Sequence, residues 1–153
     1  DTVDGYLNKT VAEDWSALRQ EAMALLQEES GLQEIVSLVG IDALSEKDRL
    51  KLEVSKSIRE DYLQQNGFHE IDTYTSLDKQ YKMLKLVLLF RHEAERALDA
   101  GVYLDKVLAL EVRDKIARSK YIHEDDIAKM DDIAAELRAD IDTLINEGGV
   151  LNA

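Results

Sequence analysis

The stretch "IAKMDDIAAELRADIDTL", residues 127–144, decides the fold class. In it Ile127, Met130, Ala134, Leu137, Ile141 and Leu144 alternate three and four apart. A strand would repeat every second residue. This spacing puts one apolar stripe on an α-helix. The stripe is like a coiled-coil seam, but roughly two to three heptads are too few to hold a free coiled coil together. A bundle helix with its stripe turned inward satisfies the pattern. An exposed stripe that docks a partner helix would satisfy it too.

The same period runs through the rest of the chain. Trp15, Leu18, Ala22, Leu25, Leu32, Ile35, Val36 and Val39 predict a helix from about Glu13 to Val39. It crosses Gly31 at a cost of about 1 kcal/mol and ends at Gly40, a natural C-terminal cap. Ser45 caps a second helix, with Asp48 in a capping-box-like place. Leu50, Val54 and Ile58 form its inner face, and it stops near Gln64. Asn66-Gly67 breaks the pattern, and 69–75 has room for a short turn. Ser76 caps a third long helix, with Leu77, Tyr81, Leu84, Leu88 and Ala97 inside and Gly101 at its end. Short helices follow near 103–110 and 112–120. The last helix runs from about Glu124 to Asn146 and stops at Gly148-Gly149. The expected fold is all-α, a bundle of about four to six helices. Residues 1–12 form a lead-in from a preceding domain, and 13–153 form one domain.

The composition agrees. The chain has 153 residues, 45% of them apolar, with seven glycines and no proline, too little punctuation for many strands and loops. Its net charge of −13 offers no basic face for nucleic acid, and an anionic membrane surface would repel it. A basic or amphipathic protein partner suits it better. With no cysteine it has neither disulfides nor thiolate metal sites. The longest nearly apolar run, "MLKLVLLF" at 83–90, is interrupted by Lys85 and is far too short to insert in a membrane. The chain opens on Asp1, which suits a piece of something longer.

Chemistry is sparse. None of His69, His92 and His123 sits in a Glu-x-x-His or His-Glu-x-x-His pattern. The run Glu124-Asp125-Asp126 lacks the spacing of a calcium loop and belongs at a helix start. There is no G-x-x-x-x-G-K-[ST] phosphate cradle. No catalytic constellation and no metal site is expected. One position stands out. After Asn66-Gly67 the chain presents Phe68 beside His69. Phe68 either folds back over the bundle or meets a ligand. His69 reads as a polar loop contact, and Trp15 as an anchor of the first helix.

The segments "LQEIVSLVG" (32–40), "DRLKLEVSKSIREDYLQQNGFHEIDTY" (48–74) and "DKQYKMLKL" (78–86) together resemble the C-terminal region of the catalytic (A-type) polypeptide of V-type rotary ATPases. The likeness is close over about 14–100 and looser beyond. It implies a rotor-facing lever domain of an ion-translocating ATPase or ATP synthase. The P-loop domain of that catalytic polypeptide has no counterpart here, so the chain alone should be inactive and bind no cofactor. ATP or ADP with Mg would be held by the full-length catalytic polypeptide. Implied partners are the remainder of that polypeptide, the non-catalytic (B-type) polypeptide that alternates with it in a hexamer, and the central rotor shaft. The implied place is the soluble head at the cytoplasmic face of a membrane.

The resemblance also gives roles to residues. An aromatic after the second helix packs on the adenine ring in this family, and the matching position is Phe68. Stacking of a base on an aromatic is worth about 1–3 kcal/mol. Tyr62 and Gln65 are secondary candidates for the same pocket. "IDALSEKD", 41–48, matches the acidic rotor-facing loop of the related F-type β polypeptide, but Ala43 and Lys47 replace two of its acids. Asp42, Ser45, Glu46, Lys47 and Asp48 are then the rotor-facing residues, and steric pushing needs only a rigid protrusion. Ser45 and its acids also read simply as a helix cap. The alternative function is a free-standing acidic adaptor whose docking face is the 127–144 stripe.

Overall fold

The computed structural model describes residues 2–63 and 77–151. Phe68, Gln65, His69, the Asn66-Gly67 break, the turn expected at 69–75 and the Ser76 cap lie outside them. Among the described residues there are six α-helices and no strand. They are α1 (Thr2–Val39), α2 (Glu46–Ser57), α3 (Leu77–Asp99), α4 (Leu104–Leu108), α5 (Glu111–Ala117) and α6 (Lys129–Leu151). The all-α expectation is met.

The first helix begins well before Glu13. Nothing between Thr2 and Glu13 stops a helix except Gly5, and one glycine costs only about 1 kcal/mol. At the other end Gly40 adopts φ 95°, a conformation L-residues with side chains resist, and its N–H closes on Val36 O at 2.9 Å. A 3-10 turn, Ile41–Ala43, then reverses the chain. Ser45 caps α2 as expected, its Oγ accepting from Asp48 N at 3.1 Å. The result is a helical hairpin, α1 against α2. Ser55 ties the pair inside by donating to Leu25 O at 3.3 Å.

The second helix does not stay α-helical to Gln64. It widens into a π-helical turn, Ile58–Leu63, which still buries Ile58 and Tyr62. Such turns are rare and concentrate at functional sites.

α3 is the central helix. Met83, Leu84, Leu86, Val87, Leu88, Phe90, Ala94 and Ala97 are all buried, because α1, α2, α5 and α6 each cover part of it. Leu77, expected inside, is 69% exposed in the first turn. Tyr81 is half-buried, with its ring 6.1 Å from that of Trp15 and its hydroxyl donating to Asp14. Gly101, at φ 90°, ends the helix. Its N–H bonds Leu98 O and the Val102 N–H bonds Ala97 O, both at 3.0 Å, which is the Schellman pattern.

The last helix packs mainly along α3. Met130, Leu137 and Ile141 are buried, with Ala134 and Leu144 partly so. The stripe at 127–144 is thus spent inside the bundle, and the adaptor reading loses its docking face. α6 also begins later and ends later than expected. A 3-10 turn, Glu124–Asp126, precedes it, with the His123 ring accepting from Asp125 N at 3.1 Å. It continues through Gly148-Gly149 to Leu151. No glycine-specific backbone is needed there, and a Cβ at Gly148 would meet the Val102 side chain at 4.0 Å, an ordinary van der Waals contact.

Candidate functional site

Two regions carry the residues singled out from the sequence. The first is the tip of the α1–α2 hairpin. Of its five candidates, two are engaged with other helices and a third with its own helix. Glu46 accepts from Leu104 N at 2.5 Å, Lys47 pairs with Asp99 at 2.8 Å, and Asp48 lies 3.8 Å from Lys51. The Asp99 carboxylate raises the Lys47 pKa through their hydrogen bond. Ser45 is the helix cap. Only Asp42 points out without an ion pair among the described residues. These contacts stiffen the hairpin against α3 and α4. They leave little free negative charge at its end.

The outer surface of the tip is apolar instead. Leu38 is 76% and Val39 70% exposed, and Ile35 and Ile41 are exposed as well. The sequence pattern placed Ile35 and Val39 on the inner face of the first helix. The structure overturns that, because α1 runs past the body of the bundle. Leu44, Leu50 and Leu25 are the last apolar side chains near this end to be buried. Leu38 and Ile41 were missed altogether. The available signal was five apolar residues within 35–41, more than one stripe of a helix can bury.

The second region is the base of the 64–76 segment. Tyr62 is only 9% exposed. It forms one wall of a cleft of about 360 Å³ with Trp15, Arg19, Leu26, Ile58 and Leu77. Burial raises the Tyr62 phenol above its ordinary pKa, and Arg19 opposes the shift. The hydroxyl therefore stays protonated. Trp15, read as an anchor, does anchor α1 to α3 through Tyr81, and its buried indole N–H makes no well-formed hydrogen bond among the described residues. Next to Tyr62, Asp61 faces Lys120 at 3.2 Å. Burial raises its carboxyl pKa, and the Lys120 ammonium only partly offsets this.

Neither region is catalytic in form. Among the described residues no three His, Cys, Asp or Glu side chains gather as metal ligands. His92 lies on the surface against Glu21, at 2.9 and 3.0 Å, and His123 is an exposed cap. Among the described residues no helix is long and apolar enough to cross a membrane.

Comparison with known proteins gives a consistent result. A family model described as the C-terminal domain of V and A type ATP synthase matches residues 4–108. A "V-type ATP synthase alpha chain" of Clostridium perfringens (strain SM101) is 74% identical over 148 residues, covering 97% of this chain and 25% of that protein. Proteins of the same description in Clostridium botulinum are 71% identical over 154 residues (strain Eklund 17B, 100% and 26% covered) and 67% over 151 (strain Hall, 99% and 26%). The chain spans about a quarter of the length of the curated relatives it matches.

Proposed function

Since the chain belongs to the family of C-terminal domains of V- and A-type ATP synthases, we propose that it is the lever of a catalytic polypeptide that couples ATP chemistry to rotation of a central shaft. The observation that carries this is the tip. A protein that folds alone has no reason to expose Ile35, Leu38, Val39 and Ile41 together at the end of a braced helical hairpin. The surface suits a sliding apolar contact, in which no ion pair must break at each step. Steric pushing, rather than repulsion between charges, follows from the engagement of Glu46 and Lys47 within the bundle.

The other half of the proposal is nucleotide sensing. Phe68 supplies an aromatic wall to adenine, and Gln65 lies in the same segment. Tyr62, just ahead of that segment in the chain, has its ring buried in the bundle. The chain has no phosphate cradle of its own. Phosphates and Mg are held by the rest of the catalytic polypeptide, with its non-catalytic neighbour in the hexamer completing the head at the cytoplasmic face of the membrane. When the nucleotide domain closes, it moves α1, the bundle follows as one body, and the tip presses on the shaft.

The test exploits the lack of cysteine. Leu38→Cys in a cysteine-free V-type ATP synthase alpha chain carrying this domain is treated with a short bismaleimide in the assembled ATPase. A cross-link to a central shaft protein that carries surface cysteines, with loss of ATP-driven rotation, is the expected result. Labelling of Leu38→Cys without any shaft adduct would overturn the lever reading.

A further inference from the structure

The chain runs along α1 to the tip, returns beside it along α2, and runs towards the tip again along α3. The corner between α3 and α4, residues 99–105, thus comes to the same end of the bundle as the tip. Three polar links fasten the two together. Glu46 Oε2 accepts from Leu104 N at 2.5 Å, Lys47 pairs with Asp99 at 2.8 Å, and Arg49 pairs with Asp105 at 3.3 Å. Both acids of the corner are therefore matched by cations of α2, and Glu46 is spent on a backbone N–H.

Tyr103 stands between these links. It is 72% exposed, and it occupies the N-cap position of α4, where its side chain makes no capping hydrogen bond. A serine or aspartate there would cap the helix locally. Instead the acceptor comes from Glu46, 58 positions away, and the place is left to an exposed aromatic. Tyrosine is enriched at protein interfaces because its ring supplies contact area at little cost in side-chain entropy. Leu104 N is one peptide bond from Tyr103. The Glu46 carboxylate thus pins Tyr103 beside the start of α2, directly after the 3-10 turn of the tip. A charge-assisted hydrogen bond fixes a distance and a direction, where an apolar contact tolerates sliding.

We propose that the surface turned to the central shaft is composite: the apolar tip of the α1–α2 hairpin and Tyr103 at the α3–α4 corner, held in register by Glu46. The inference rests on the lever reading of the tip. Its occupant is an apolar face of the shaft, because the charges at the junction are already matched within the domain. A single protrusion can slip sideways off a curved shaft. Two contact points fixed to each other cannot slip unless both let go.

The experiment uses the assembled ATPase whose alpha chain carries this domain, made cysteine-free, with Leu38→Cys or Tyr103→Cys labelled by a benzophenone maleimide. Illumination is expected to cross-link both positions to the shaft. Tyr103→Ala should weaken binding of the shaft to the hexamer roughly fivefold or more, the effect of truncating an interface aromatic. The urea midpoint of the 153-residue chain should stay unchanged, because the side chain is exposed. Glu46→Ala should lower the cross-link yield at residue 103 relative to that at residue 38, and Glu46→Gln, which keeps the acceptor oxygen, should restore it. If Glu46→Ala does not assemble, the Tyr103 variants decide alone. If Leu38→Cys reaches the shaft while Tyr103→Cys links only to a neighbouring polypeptide of the head, or to nothing, the composite face is wrong and the lever reading stands. A Tyr103→Ala chain with a lowered urea midpoint and unchanged shaft binding would likewise make Tyr103 a structural residue and overturn the proposal. If Leu38→Cys gives no shaft adduct, the lever reading fails and the inference falls with it.

Discussion

Arg59 lays its guanidinium against the carboxylate of Glu29, with Nη2 2.7 Å from Oε2 and Nε 3.0 Å from both oxygens. The two residues stand 30 apart in sequence, and Glu29 is buried while Arg59 is half-exposed. This fork fastens the π-helical turn to the middle of α1. The Glu29 hydrogen bond raises the Arg59 pKa, so the guanidinium stays charged at any ordinary pH. Glu29→Gln keeps the shape and removes the charge. It should lower folding stability by about 1–2 kcal/mol, the lower part of the range for charged hydrogen bonds because Arg59 meets solvent. Urea unfolding measures this. A change below about 0.3 kcal/mol would mean that the fork is decorative.

Leu137 tests whether the seam is core. It is fully buried on α6, the helix that packs most extensively on α3. Leu137→Ala should cost about 2–5 kcal/mol through lost burial and the cavity left behind. The urea midpoint should fall while the m-value is unchanged. A cost under about 0.5 kcal/mol is typical of an exposed position, and would return the 127–144 stripe to the adaptor reading.

Asp61 gives a dependence on pH. Its carboxyl binds a proton more tightly in the folded chain than in the unfolded one, because burial outweighs the help from Lys120. A folded pKa above the unfolded value favours the fold below the ordinary carboxylate range. That contribution is withdrawn as pH rises through the raised value. Asp61→Asn cannot ionise. Relative to the parent, it should gain stability between about pH 4 and pH 7. Denaturant melts of both proteins across that window measure it. A difference that stays constant would show that Asp61 ionises as freely as a solvated carboxylate.

Whatever local rules govern could be read from the residues without any coordinates. The three-four spacing of Leu18, Ala22 and Leu25, of Leu84 and Leu88, and of Leu137 and Ile141 chose helices, and these residues are buried where that spacing put them. Ser45 and Gly101 marked ends because one side-chain oxygen or one positive φ is enough to start or stop a helix. The family was legible in the longer segments around 32–86, where many positions agree at once.

Whatever depends on which neighbour arrives was settled only by packing in three dimensions. Ile35 and Val39 carry the same apolar signal as Leu25, yet the end of α1 outruns its cover while its middle does not. Burial is a property of the partner surface, and a helix pattern names only the face. The same holds for charge. Glu46 and Lys47 read as rotor-facing residues, but Glu46 accepts from Leu104 N and Lys47 pairs with Asp99 inside the domain. Lys79 and Lys120 carry no mark in the sequence, because nothing there shows that the Lys79 ammonium will donate to Lys120 O, 41 residues away. Hydrogen bonds between distant segments form only once packing has brought their ends within about 3 Å, and that distance is set by the whole bundle.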